Sequence, residues 1–296
     1  KRREPSMSEW PLVTFTLLVQ SSVGVTIFTA LYFCWLEKEI GNQRATRTLR
    51  PVLLTSAILG CLGLLASTLH MGYPWNAFHA LRHISSSWLS REIIFAALYL
   101  GALCLYTLLV LIKGHMNKTL LAIIGLLGLV DIFCMASLYY STSMITWMHV
   151  NTYFMFIGSV FSAGAVITLL ITSIRVKAFA DGELAKKIVL SALVGIFLAV
   201  TIRMAEQPLY LSWMSEIQLT NDAITFPHTP IIAYNETFGL RISAWILSII
   251  SILMMGYSLY KYRIAVFTSG LSLIWGSGIV LLIAEILNRF AFFIVK

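Results

Sequence analysis

Eight long apolar runs constrain this chain more than any other feature. They fall at about 11–36, 51–70, 92–113, 119–140, 150–174, 187–206, 241–260 and 265–288. A run of roughly 20 apolar residues spans a bilayer as a helix. In lipid the backbone must satisfy its own hydrogen bonds, so runs of this length are helices. Only 11% of residues are charged, against about 25% in a soluble domain. The sequence therefore predicts an all-α integral membrane protein of about eight transmembrane helices, with two four-helix bundles as the natural packing. Residues 9–296 read as a single transmembrane domain after an extension over 1–8. The stretch Lys1–Ser6 is basic, and Met7 reads as a natural start. The first run is longer than the hydrophobic region of a cleaved signal peptide.

Orientation follows from the basic residues. Lys38, Arg44, Arg47, Arg50, Lys113, Lys118, Arg175, Lys177, Lys186, Lys187, Lys261 and Arg263 all follow odd-numbered spans. The opposite loops carry only Arg82 and Arg91. Positive residues stay cytoplasmic, so both termini and the loops 71–91, 141–149 and 207–240 are expected outside. The net charge of +8 reflects topology and does not point to nucleic acid.

The remaining ionisable residues gather towards that outer face: Glu9, His70, Glu92, Arg203, Glu206, Arg241, Glu285 and Arg289. Charge near lipid is costly and marks function or pairing. Spacing of three and four residues suggests local pairs, Arg203 with Glu206 and Glu285 with Arg289. Arg241 reads as a helix flank. Asp131 stands near the middle of the fourth run. It reads either as a protonated acid bonded to a neighbouring helix or as part of a proton path.

A membrane haem needs two histidines inside facing helices. His79, His83, His115, His149 and His228 fall in loops or at span edges, and only His70 closes a run. Cys34, Cys61, Cys104 and Cys134 form no C-x-x-C pair. Neither haem nor an iron–sulfur cluster is expected in this chain.

The stretch 70–93 holds the most informative pattern. His70-Met71-Gly72-Tyr73-Pro74-Trp75-Asn76-Ala77-Phe78 closes the second run, and Ser87-Trp88-Leu89-Ser90-Arg91-Glu92-Ile93 opens the third. Gly72 and Pro74 stop the helix. Residues 75–84 can form an interfacial helix, and Ser90 can cap the next span. His70 and Glu92 then share the outer face of consecutive antiparallel helices. Oxidising a quinol releases two electrons and two protons, and a histidine with a partly buried glutamate can accept those protons. Helix-end capping is the plainer reading of the pair.

This pattern, H-x-G-x-P-x-x-A-F-x-x-L then S-x-L-S-x-E-I, resembles the membrane anchor subunit of the dimethyl sulfoxide reductase family. Glu9-Trp10-Pro11-Leu12 with Phe15, Thr16 and Gln20, and Glu285-Ile286-Leu287 with Arg289, extend the resemblance. It implies a three-subunit enzyme of the bacterial inner membrane. A molybdopterin subunit reduces the acceptor on the periplasmic side, an iron–sulfur subunit relays electrons, and the anchor binds menaquinol without haem. His70 and Glu92 fall on the family's quinol positions, with Arg82, His79 and His83 around them. On this reading the anchor is not catalytic towards the terminal acceptor. That acceptor is dimethyl sulfoxide or a related S- or N-oxide, with polysulfide, tetrathionate or selenate as alternatives. A secondary transporter is the competing class.

Overall fold

The computed structural model describes residues 10–70, 84–177, 182–217 and 230–294, the side chains of residues 69 and 70 apart. Eight of its helices are long and apolar enough to cross a membrane, and no strand occurs among the described residues. These are α1 (Trp10–Ile40), α2 (Asn42–His70), α3 (Trp88–Lys113), α4 (Lys118–Tyr140), α5 (Asn151–Val176), α6 (Gly182–Glu216), α8 (Phe238–Tyr262) and α9 (Leu271–Ile294); a short helix, α7 (Pro230–Glu236), lies between α6 and α8.

The helices outrun several of the apolar stretches, because an α-helix continues into the polar interface wherever tertiary contacts hold it. α1 and α2 form a hairpin around Gly41 alone. Its φ of 77° ends α1 in the left-handed conformation that glycine adopts without strain. Asn42 braces that corner through Glu37 (2.9 Å) and the Met116 carbonyl (3.0 Å). The expected loop before residue 51 is therefore helical, and Pro51 lies inside α2. Gly114 (φ 73°) ends α3 in the same way.

Two further expectations are corrected. The segment 207–240 is not loop throughout, since α6 continues through Pro208 to Glu216. Three anchors hold this extension: Gln207 to Asn151 (3.0 Å), Tyr234 to Gln207 (3.0 Å) and Tyr210 to the Thr146 carbonyl (2.7 Å). They offset the backbone bond that proline removes. The cap of α3 is Ser87, not Ser90; the Ser87 hydroxyl accepts the Ser90 N–H at 3.5 Å. Most of the expected interfacial helix over 75–84 lies outside the described residues.

The helices group as α1–α4 and as α5, α6, α8 and α9, with α1 against α5 between the groups. These two helices are the most enclosed of the eight. Their axes meet where glycines remove the side chains. A Cβ on Gly24 would lie 1.9 Å from the Val160 carbonyl oxygen, and one on Gly164 would lie 2.3 Å from the Gly24 Cα. Small residues permit such close approach in membrane proteins, where packing rather than water exclusion drives association. Leucines and isoleucines such as Leu105, Leu108, Ile112, Leu126 and Leu253 remain exposed on the outer faces. That surface suits lipid.

Candidate functional site

Helix direction collects the polar residues at one end of the molecule, the end that carries Trp10, His70, Trp88, Tyr140 and Asn151. Lys38, Lys113, Lys118, Arg175 and Lys261 lie at the other end, where Lys118 pairs with Glu37 at 3.1 Å.

In the first bundle, α2 and α3 run antiparallel. Gly60 faces Leu100, and the Cys61 and Cys104 sulfurs lie 3.8 Å apart. Following α2 forward from this crossing to its last residue, and α3 back to its first turns, brings His70 and Glu92 to nearly the same level. The His70 side chain lies outside the described residues, as does Arg82. Glu92 is buried, 5% exposed, about 6 Å below the start of α3 at 1.5 Å per residue.

Asp131 of α4 is fully buried at 0% exposure. It lies about 14 Å below the end of α4 by the same rise, near enough to Glu92 to feel its charge. Neither of its carboxyl oxygens has a hydrogen-bond partner among the described residues, so the expected bond to a neighbouring helix is not formed there. Asp131 lines a narrow crevice between α1, α2, α3 and α4 with about 10 Å³ of free space, room for no more than a water. Phe15, Val19, Gly60, Leu64, Ala96, Tyr99 and Leu100 make its other walls. The hydroxyls beneath satisfy one another: Tyr99 meets Ser22 at 2.8 Å and Thr26 at 3.2 Å, and Ser56 meets Thr26 at 2.8 Å.

The second cluster joins the two groups of helices. Arg203 of α6 clamps Glu285 of α9 through both guanidinium nitrogens, at 2.6 and 3.0 Å. Ser162 and Ser159 of α5 donate to the same carboxylate at 2.6 and 2.8 Å. The expected local pairs are thus exchanged for long-range ones. Arg289, 1% exposed, donates to Gln20 of α1 and to Ser159 (3.0 Å), and lies over the Phe156 ring at 4.4 Å. Glu206 faces His149 at 3.6 Å instead of Arg203. Gly158 makes room for this arrangement, because a Cβ there would meet the Arg203 side chain at 2.7 Å. Arg241 is more than a flank. It is buried, stacks on Tyr234 at 4.0 Å and bonds Thr237 (3.0 Å) and the Ala291 carbonyl (3.2 Å). The α5 serines do not stand out in the sequence, since serine is common in membrane helices; their spacing at 159 and 162, on one face, is the available signal.

At the helix ends His149 accepts the Asn151 N–H at Nδ1 (3.2 Å) and lies against Tyr210 and Trp213. Its partial burial lowers its pKa from the ordinary value, against the opposing pull of Glu206. No group of three or more His, Cys, Asp or Glu residues is placed to share a metal ion among the described residues.

Known proteins are similar to this one in sequence. The C subunit of the anaerobic dimethyl sulfoxide reductase of Haemophilus influenzae is 31% identical over 165 residues, which cover 54% of this protein and 57% of that one. The YnfH subunit of an Escherichia coli anaerobic dimethyl sulfoxide reductase is 29% identical over 163 residues, covering 54% and 56%. Each alignment thus spans little more than half of the relative's length. The family described as DMSO reductase anchor subunit (DmsC) matches residues 4–294, nearly the whole sequence. With its eight membrane-length helices, the protein belongs to the DMSO reductase anchor subunit (DmsC) family of multi-pass membrane proteins.

Proposed function

We propose that this protein oxidises menaquinol at the polar end of its first bundle and passes the electrons to an iron–sulfur partner subunit. That partner serves a molybdopterin subunit reducing dimethyl sulfoxide or a related S- or N-oxide; the relatives are named as chains of anaerobic dimethyl sulfoxide reductases. The supporting observation is the buried Glu92 carboxyl, level with the His70 end of α2. Quinol becomes quinone by losing two electrons and two protons. His70 takes one hydroxyl proton and Glu92 the other, while the electrons leave for the partner. A proton acceptor must stand within hydrogen-bond reach of the group that it serves. The ring therefore sits beneath the partner at the outer end of the bundle.

Positive-inside orientation puts this end in the periplasm of a bacterial inner membrane. The segment 71–91, with Arg82, His79 and His83, and the α6 extension with α7 then form the docking platform for the soluble subunits. Protons released there balance those consumed when an acceptor is reduced on the same side, so this step moves no net charge across the membrane. Secondary transporters bind substrate at broken helices near the bilayer midplane. Here the ionisable residues cluster at one end instead, and Asp131 is the exception.

The test uses the assembled complex. His70→Ala and Glu92→Gln should each lower quinol-driven acceptor reduction about a hundredfold or more. Reduction driven by a reduced viologen dye, which feeds the soluble subunits, should persist. Full quinol-driven turnover in both variants would refute the assignment, and loss of dye activity as well would leave the residues as helix-end structure.

A further inference from the structure

The second bundle carries a half-open groove between α6 and α8, at the end of the molecule opposite Glu92. It holds about 310 Å³ of free space, enough for a small ligand group, whose sites span about 300–1,000 Å³. Lys186 and Leu190 of α6 form one wall, and Leu259 and Tyr260 of α8 the other. Arg263, just beyond α8, completes the lining.

Local structure builds this groove. Lys186 and Leu190 are four apart and share one face of α6. Gly182 seats the start of α6 on the turn after α8, because a Cβ there would lie 2.2 Å from the Ile264 Cβ. Gly256 of α8 approaches Leu193 of α6, where a Cβ would meet the Leu193 side chain at 4.0 Å. The two contacts bracket the lining residues on both helices and fix the spacing of the walls. Arg263 has φ 44° and ψ −110°, while the other described residues at positive φ are Gly41 and Gly114. A non-glycine residue is uncommon there, and such outliers gather at ligand clamps.

Charge and apolar surface select the occupant. Among the described residues only Glu183 comes within ion-pair distance of either cation, 3.9 Å from Lys186. Both partners of that pair are about half exposed or more, so it is weak. Lys261 is engaged elsewhere, over the Tyr257 and Tyr262 rings. From the groove towards the middle of the spans the exposed surface turns apolar. Leu190, Val194 and Phe197 continue the Lys186 face of α6, and Leu253 and Tyr257 continue the Tyr260 face of α8. A fitting ligand has a negative head and a long apolar body.

We propose that this groove binds an anionic phospholipid, with its phosphate between Lys186 and Arg263 and its acyl chains along those two faces. Basic pockets between membrane helices bind anionic head groups in this manner. The lipid bridges α6 and α8 where both helices reach the membrane surface. This assignment is independent of the quinol reading and of which face of the membrane is inside.

The experiment titrates the full-length protein, in an uncharged detergent, with micelles containing phosphatidylglycerol or phosphatidylcholine of the same chains. Native mass spectrometry counts the bound lipid, and melting is recorded beside it. Phosphatidylglycerol should bind the parent more tightly by about fivefold for each of the two cations and raise its melting temperature. Lys186→Gln should weaken that binding about fivefold. Arg263→Gly should do the same, yet melt no lower than the lipid-free parent, because glycine suits the positive φ. Lys113→Gln, at the same end but in the other bundle, should leave binding unchanged. Equal affinity for the two lipids would overturn the proposal. So would undiminished binding in both groove variants, or an equal loss in Lys113→Gln, which would mean diffuse charge. Inorganic phosphate that displaces the lipid and raises melting as far would make the site one for a free anion. Arg263→Gly melting markedly lower without lipid would make Arg263 a helix cap and overturn its assignment.

Discussion

Arg203 and Glu285 stand 82 residues apart and form a two-pronged ion pair sealed inside the bundle, 2.6 Å at its shorter contact. Ser159 and Ser162 complete the carboxylate's bonding from a third helix. The pair therefore ties α5, α6 and α9 together at one depth.

Removing one partner leaves the other charge buried alone. Arg203→Ala or Glu285→Ala should destabilise the protein by about 3–5 kcal/mol. The double replacement Arg203→Met with Glu285→Leu should be far milder than the sum of the two single changes. Thermal melting of the detergent-solubilised complex reads both outcomes, and strict additivity would show that the pair is not coupled.

The α1–α5 crossing admits no side chain at its centre. Gly24→Ala would drive a methyl into the Val160 carbonyl at 1.9 Å, and Gly164→Ala would meet the Gly24 backbone at 2.3 Å. Each should cost about 3 kcal/mol or more through forced separation of the helices. Gly101 faces open space. Gly101→Ala should be neutral or stabilise by about 0.5–1 kcal/mol, since it lies within a helix. Comparing the amounts of folded protein recovered from membranes separates the two classes.

His149 links acidity to the start of α5. Its Nδ1 accepts the Asn151 N–H, which only the unprotonated nitrogen can do. Burial lowers its pKa below the unfolded value of about 6.5. The folded state thus binds this proton less readily than the unfolded chain. Its stabilising contribution is complete above about pH 6.5 and is lost as pH falls through the lower folded value. A protonated Nδ1 would turn from Asn151 to Glu206, 3.6 Å away. Amide exchange at Asn151 should quicken on acidification, and His149→Asn should remove that pH dependence. Exchange that is flat with pH in the parent would refute the link.

The level match between His70 and Glu92 depends on the α2–α3 register. Cys61 and Cys104, 3.8 Å apart, report it directly. Mild copper–phenanthroline oxidation should join them as one disulfide, detectable as a cross-linked peptide and abolished by Cys61→Ser. Cross-linking of Cys104 to Cys34 or Cys134 in preference would mean a shifted register and a different neighbour for Glu92.

The apolar runs reveal the helices because lipid permits little else. Their ends are less legible: Asn42, Gln207 and Tyr210 extend helices through contacts with residues remote in sequence. The same reason hides the partners of the buried charges. Arg203 and Glu206 are three apart, Glu285 and Arg289 four, and local pairing is sound chemistry on an isolated helix. The packed structure offers Arg203 a carboxylate flanked by two serines, which is a better match. Glu92 stands out through its motif. Asp131 stands out by its polarity in an apolar run, but its want of a partner among the described residues is a property of four helices together.

The glycine crossing of α1 with α5 also sets a schedule for biogenesis. Gly24 leaves the ribosome 140 residues ahead of Gly164. At about 5–20 residues per second, that interval is roughly 7–28 s. Throughout it, the inner face of the first helix is in the membrane while its counterpart is still being synthesised. All four helices of the leading half are thus synthesised before the α5 surface that α1 packs against exists.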